Sequence, residues 1–256
     1  MAEQLKIQEE QPKNKIETLK EKGIVSFDVE LTPEEKDGIQ EIKIEKALPQ
    51  FNYYGPANEE LIRKLTAHLS QLEGNTEEVI NSISSLVAKV AEGMQKDFNK
   101  ESAWVMVRVT MPNNEFDIPR WHQDGYYIKS KEGTFKSEEK TYKLVFTVKG
   151  APTRFAAITD AEKYKQLDEE STTNNRLNYD NNRKKYDEED IAIREKFVSA
   201  VEETDPISKD QATMYLVGDE DAKVHSEPPM DTPRIFMSVV PGSVEQIEEF
   251  RERYEK

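Results

Sequence analysis

The sequence predicts an α+β chain with a mainly β core, a sandwich or barrel of short strands with helices laid against it. Three observations point there. Two amphipathic helical stretches lie before residue 100, and a series of short β-branched runs separated by Gly, Pro and Asn turns lies after it. One long polar stretch interrupts those runs. At 256 residues the chain is long enough to bury a substantial core as one large domain. One domain over 23–256 with an insertion at 160–205 is more economical than two, because the insertion is too poor in apolar residues to bury a core alone.

The elements follow in order. Residues 1–22 are rich in Glu, Lys and Gln and read as a flexible tail or a short exposed helix. Ile24 to Leu31 alternates as a strand. Thr32-Pro33-Glu34-Glu35 reads as a helix start, with an N-cap Thr, Pro at the first position and acids in the first turn. Residues 39–55 carry no clear pattern, and Asn52-Tyr53-Tyr54-Gly55-Pro56 reads as a loop. Leu61, Leu65, Leu69 and Leu72 form one stripe of a helix over 58–73. Val79, Ile80, Ile83, Leu86, Val87, Val90 and Met94 form that of a helix over 76–98. Strands are expected at Trp104–Met111, Thr141–Val148, Thr153–Ile158, Thr213–Val217, Lys223–Ser226 and Arg234–Val240. Within the insertion, Ile191, Arg194, Phe197, Val198 and Val201 restore helical spacing. Ser243 caps a final short helix through Val244, Ile247 and Phe250.

Composition bounds the function. The formal net charge of -15 disfavours a nucleic-acid partner, which needs a cationic face, although it allows a local basic pocket for a small anion. The chain has no cysteine, which removes disulfides, thiolate metal sites and a Cys nucleophile. The first thirty residues hold no apolar secretory core, and no run approaches the ~18 apolar residues of a membrane span. These features lead us to expect a cytoplasmic protein; oligomeric state is not legible.

The sequence holds three histidines, His68, His122 and His225. In Arg120-Trp121-His122-Gln123-Asp124-Gly125, His122 and Asp124 are two apart, so on an extended segment both side chains leave the same face. An imidazole and a carboxylate projecting together are two thirds of a metal site, and His225 on a later strand is the candidate third ligand. Two His and one carboxylate leave open positions suited to Fe(II) that must also hold oxygen and an organic chelator. Arg234 can pair bidentately with the chelator's far carboxylate, and Ser238, on the same strand face, can add a hydroxyl. Arg108, Arg120, Tyr126 and Tyr127 are candidate substrate contacts; Lys143, Thr110 and Thr147 are strand residues equally suited to a solvated surface. His68, at the edge of a helix stripe, reads as a partly buried helical histidine.

His122-x-Asp124, His225 and Arg234 together resemble the Fe(II)/2-oxoglutarate-dependent dioxygenases. The similarity extends over about residues 23–242 and is strongest in 104–127 and 211–240. It implies a double-stranded β-helix (jelly roll) with N-terminal covering helices and a polar helical insertion. It also implies Fe(II) held by His122, Asp124 and His225, 2-oxoglutarate as co-substrate against Arg234, and O2 as oxidant. The implied activity couples oxidative decarboxylation of 2-oxoglutarate to hydroxylation, or a related oxidation, of a small molecule or a protein side chain. The insertion at 160–205 would be a lid or substrate-recognition segment. Two competing readings are a cupin-like metal protein that does not use oxoglutarate and a non-catalytic jelly-roll interaction module.

Overall fold

The computed structural model of the chain describes residues 14–127, 140–218 and 221–255. Its organising element is an antiparallel sheet in which β-branched and aromatic runs pair at full length. β3 (Ser102–Thr110) pairs with β9 (Arg234–Gly242) from Ser102↔Gly242 to Thr110↔Arg234. β4 (Thr141–Lys149) lies on the other side of β9, and β7 (Gln211–Val217) lies beyond β4. β1 (Ile24–Asp28) and β2 (Phe51–Gly55) form the edges, giving the order β1-β7-β4-β9-β3-β2. A smaller sheet has the order β6-β5-β8, from β5 (Arg154–Ile158), β6 (Val201–Glu203) and β8 (Val224–Ser226).

The pairing is nested. β3 takes β9, the segment at His122 bridges β8 at His225, β4 takes β7, and β5 takes β6. The chain also alternates between the sheets, with β3, β4, β7 and β9 in the large one and His122, β5, β6 and β8 in the small one. Such a nested, rolled antiparallel hairpin is the double-stranded β-helix, or jelly roll. Phe155 of the small sheet meets Tyr215 of the large one edge to face at 5.1 Å, so the two sheets touch across a shared interior.

Period-two alternation divides the large sheet's side chains between two cores. Val105, Val107, Phe146, Met214, Met237 and Val239 point outward into a layer of helices. That layer comprises α2 (Pro33–Glu41), α3 (Glu59–Leu69) and α4 (Glu77–Phe98). Ile83, Leu86, Val87, Ala91 and Met94 of α4 are sealed from water, and each large side chain contributes about 1.5–3 kcal/mol of burial. The N-terminal helices therefore cover one face as expected. α2 begins at a capping box between Thr32 and Glu35. The opposite parity, with Trp104, Met106, Val145, Tyr215, Phe236 and Val240, faces the small sheet. α7 (Val244–Tyr254), entered through a second capping box at Ser243, closes that side with Ile247 and Phe250. Val244 remains exposed.

Three expectations need correction. Residues 15–22 are part of the folded body: α1 (Lys15–Lys22) buries Leu19 completely, and residues 1–13 lie outside the described residues. Residues 51–55 are a strand and not a loop. Gly55-Pro56 marks its end and Asn52 is its exposed second residue, accepting from Trp104 Nε1 at 3.0 Å, while Phe51, Tyr53 and Gly55 turn inward. The insertion is helical as expected, as the paired helices α5 (Ala161–Asn178) and α6 (Arg183–Phe197), but the helix expected to run through Val201 ends at Phe197 and Val201 begins β6. Ile193 and Phe197 face inward there, whereas Ile191 and Val198 face water, so the expected apolar stripe was displaced around the helix.

Candidate metal centre

The segment carrying His122 and Asp124 is held by backbone before any side chain acts. His122 N–H donates to His225 O at 3.0 Å and His225 N–H donates to His122 O at 2.9 Å, a reciprocal pair that sets the two rings 4.3 Å apart. Gly218 N–H donates to Asp124 O at 2.9 Å, fixing the next turn of the same segment. Gly218 has φ +70, and a Cβ there would meet Tyr126 Cδ1 at 2.7 Å, so glycine is required for this close approach.

Both imidazoles are oriented alike. His122 Nδ1 lies 2.8 Å from Arg120 O and His225 Nδ1 lies 3.1 Å from Lys223 O. A carbonyl can only accept, so each Nδ1 carries the proton and each Nε2 keeps its lone pair for the cavity. Burial pushes both imidazoles toward the neutral form. For His225 it does so to about 3, with the neighbouring His122 acting in the same direction.

Asp124 joins them. Its Oδ2 lies 3.4 Å from His225 Nε2, accepts from Tyr215 O–H at 2.9 Å and receives Lys143 Nζ at 2.9 Å. Burial, the largest single effect, would raise its pKa, but the Lys143 ammonium and the two histidines together outweigh it and hold the carboxyl well below the usual range. Tyr215 is raised by burial and by Asp124, and stays a phenol. The ligand atoms of His122, Asp124 and His225 lie within 4.8 Å of one another. Neutral Nε2 donors, an ionised carboxylate and Nδ1–H anchored on carbonyls fit a divalent transition metal.

The three groups line a cavity of about 170 Å³ with Arg234 in its wall. Arg234 is buried, and burial lowers its pKa to about 10, so it stays charged at neutral pH. Nε donates to Ala151 O at 2.9 Å, and Nη2 donates to the hydroxyls of Thr147 and Thr153, each at 3.2 Å. Its cradle comes from a register shift in β4 between Thr147 and Lys149, followed by Gly150 at φ +98. A Cβ on Gly150 would stand 3.0 Å from Pro233 O, so only glycine lets the chain turn back over Arg234.

Of the other predicted residues, Arg108, Arg120 and Tyr127 line the same cavity. Tyr127 O–H lies 3.1 Å from Lys143 Nζ, and its ring packs on Trp104. Tyr126 lies against Gly218, outside the lining. Ser238 is also outside it, although its cross-strand partners Met106 and Val145 line the cavity: its short, fully buried side chain does not reach the lining. The buried Ser238 Oγ has no hydrogen-bond partner among the described residues. The hydroxyls beside Arg234 are those of Thr147 and Thr153. His68 packs against Phe51 at 5.3 Å on the outer helix layer, away from the cavity.

Sequence reasoning missed Glu227, Tyr215 and Thr153 and gave Lys143 and Thr147 no preference for the site. Glu227 receives Arg120 Nη2 at 3.2 Å and Arg108 Nη1 at 3.7 Å. Burial, the largest single effect, would raise its pKa, but Arg120, the two histidines and a backbone hydrogen bond together outweigh it and take it down to about 2. The available signal was parity: Lys143 and Thr147 share β4's inner face with Val145, and Glu227 follows His225 by two.

No family model and no curated protein matches this chain. Among solved structures it is similar to a Pseudomonas putida prolyl-4-hydroxylase, at 11% identity and TM-score 0.37, over 90% of this chain and 97% of that one. It is also similar to a Trichoplax adhaerens prolyl hydroxylase in complex with a hypoxia inducible factor oxygen degradation domain peptide fragment. That match has 10% identity and TM-score 0.36, over 94% and 91% of the two chains. A rice dioxygenase for auxin oxidation matches at 9% identity and TM-score 0.40, over 85% of this chain and 72% of that one. At these scores the likeness adds nothing to what strand pairing and cavity geometry establish.

Proposed function

We propose that the protein is an Fe(II)- and 2-oxoglutarate-dependent oxygenase. It would couple oxidative decarboxylation of the co-substrate to hydroxylation, or a related oxidation, of a small molecule or protein side chain. The observation that carries this reading is that the His122, Asp124 and His225 donors share one small cavity with the buried guanidinium of Arg234.

Bound iron would supply the oxygen chemistry, for which the side chains alone have no equivalent. His122, Asp124 and His225 would hold it from one side and leave its other positions open. Arg234 is placed to receive a carboxylate as a planar fork, with the Thr147 and Thr153 hydroxyls beside it. Lys143 and Tyr215 orient Asp124. Trp104, Met106, Val145 and Phe236 present apolar surface to the cavity and exclude water from it. The α5–α6 hairpin would serve as a recognition wall, since Tyr179, Tyr186 and Ile191 line a groove that also reaches Arg120.

The test is an anaerobic titration of the Fe(II)-loaded protein with 2-oxoglutarate, followed by the metal-to-ligand charge-transfer band, and then by succinate formation in air. Band and succinate are expected in the wild type and in His68→Ala, and neither in Asp124→Ala or His225→Ala. Metal binding with no band would leave a cupin-like protein that does not use oxoglutarate. Loss of the band in His68→Ala would place His68 among the groups that hold the metal.

A further inference from the structure

The walls of the metal cavity are cationic in a strongly anionic protein. Arg108, Arg120, Lys143 and Arg234 line it against two carboxylates, Asp124 and Glu227, although the chain as a whole carries -15. A divalent ion and a dianionic co-substrate would cancel each other, so the surplus of two positive charges would persist after both are seated. Such a surplus in a low-dielectric cleft draws in and retains an anion.

The surplus is also sorted by depth. Lys143 and Arg234 are sealed, at 7% and 4% exposure, and already engage Asp124 and the Ala151–Thr153 segment. Arg108 and Arg120 keep 43% and 41% of their side-chain surface, so they stand where the cavity opens. They share one carboxylate, Glu227, which neutralises one of them at most. Both are held in place. Arg108 Nε donates to Gln50 Oε1 at 2.9 Å, and the Arg120 guanidinium lies 5.7 Å from the Phe116 ring centroid. Arg120 Nε is buried without a hydrogen-bond partner among the described residues. Preformed guanidinium forks of this kind lose little on binding a planar anion.

We propose that Arg108 and Arg120 form a second anion subsite at the mouth, and that the substrate to be oxidised is a small carboxylic acid held there by its carboxylate. The substrate assignment rests on the oxygenase reading; the anion subsite itself does not. A cavity of about 170 Å³ holds one small molecule, so with the co-substrate against Arg234 the second molecule must lie toward these two arginines.

The experiment is anaerobic calorimetry on the full chain loaded with Fe(II) and 2-oxoglutarate. Its probes are pentanoate, phenylacetate and N-acetylglycine, each compared with its primary amide. At least one acid is expected to bind about tenfold or more tightly than its amide. Arg108→Gln and Arg120→Gln should each remove most of that preference, and Arg120→Lys should retain part of it. The 2-oxoglutarate charge-transfer titration should keep its wild-type midpoint in all three. Equal binding of acids and amides, no acid binding at millimolar concentration, or an unchanged preference in both Gln variants would overturn the subsite. A shifted 2-oxoglutarate midpoint in those variants would also overturn it, by assigning the two arginines to the co-substrate. Absence of the band in the wild type would defeat the oxygenase reading instead, and the acid–amide comparison on the metal-loaded protein would still decide whether the arginines hold an anion.

Discussion

Lys143 Nζ lies 2.9 Å from Asp124 Oδ2, and both side chains are nearly withdrawn from water. Lys143 thus supplies, from the wall of β4, the positive charge that a bound ion would otherwise supply from the cavity. Removing one partner of a buried pair strands the other, at a cost of about 3–5 kcal/mol. Lys143→Met should therefore destabilise the metal-free protein by roughly that amount in urea unfolding. Saturating divalent metal should narrow the gap to wild type, because the ion takes over the neutralisation. A Lys143→Met protein as stable as wild type without metal would show that Asp124 does not depend on this partner.

Arg234 separates co-substrate binding from metal binding. Its side chain touches Ala151, Thr147 and Thr153 but none of the three candidate ligands. Truncating one side of a buried charged hydrogen bond costs about 2–5 kcal/mol, so Arg234→Met should raise the 2-oxoglutarate dissociation constant by roughly 30-fold or more. Metal stoichiometry by elemental analysis should stay at the wild-type value. Parallel loss of metal would place Arg234 in the support of the ligands.

How far the sequence revealed all this follows from which physics is local. Helices α3 and α4 announce themselves because their burial follows a fixed period. Strands β3, β4 and β9 do so because they are continuous apolar and β-branched runs buried on both faces. Thr32 and Ser243 cap helices through groups three residues away. His122 and Asp124 were legible for the same reason: parity over two residues is local. The α5–α6 pair was hard to read because its interior is partly polar. Asn174 donates to Tyr186 O and Asn178 to Glu189, while Arg194 pairs with Asp190, so polar groups share the buried face with the short apolar stripe of Tyr164, Leu167, Ile193 and Phe197. Glu227, Tyr215 and Thr153 became site residues only through the order in which distant strands pair, and residue spacing does not carry that order. The Ser238 expectation failed differently. Parity put it on the correct face, level with Met106 and Val145 of the lining, but it says nothing about whether a short side chain reaches the cavity between longer neighbours.

The buried imidazole of His225 makes the metal-free fold sensitive to acid. Its pKa falls from 6.5 to about 3 on folding, so the unfolded chain binds this proton more readily. Stability contributed by the neutral ring is complete above about pH 6.5 and is lost as pH falls toward 3, by up to about 1.4 kcal/mol per pH unit. Asp124, whose carboxyl is also depressed, adds loss in the same direction at lower pH. Urea midpoints measured between about pH 6 and 4 should slope upward with pH in the wild type and less steeply in His225→Asn. An equal slope in both would assign the acid sensitivity elsewhere.

Phe197 ties the α5–α6 hairpin to the segment that carries His122. It meets Tyr164 edge to face at 5.3 Å, and both belong to a small cluster with Leu167, Ile193, Val224 and Trp121, the residue before His122. This cluster is separate from the two that build the β core. Loss of Phe197 should therefore loosen the hairpin without melting the sheets. Phe197→Ala typically costs about 3–5 kcal/mol at a buried aromatic site. Here that should open the hairpin locally, with limited proteolysis falling first near 178–183 while the large sheet stays protected. In a Trp104→Phe background the remaining Trp121 should shift its emission to the red. Metal binding should persist, because His122 is held by its reciprocal backbone bonds to His225 and not by Trp121. If metal is lost along with the hairpin, the packing of Trp121 is what keeps the His122 segment in register.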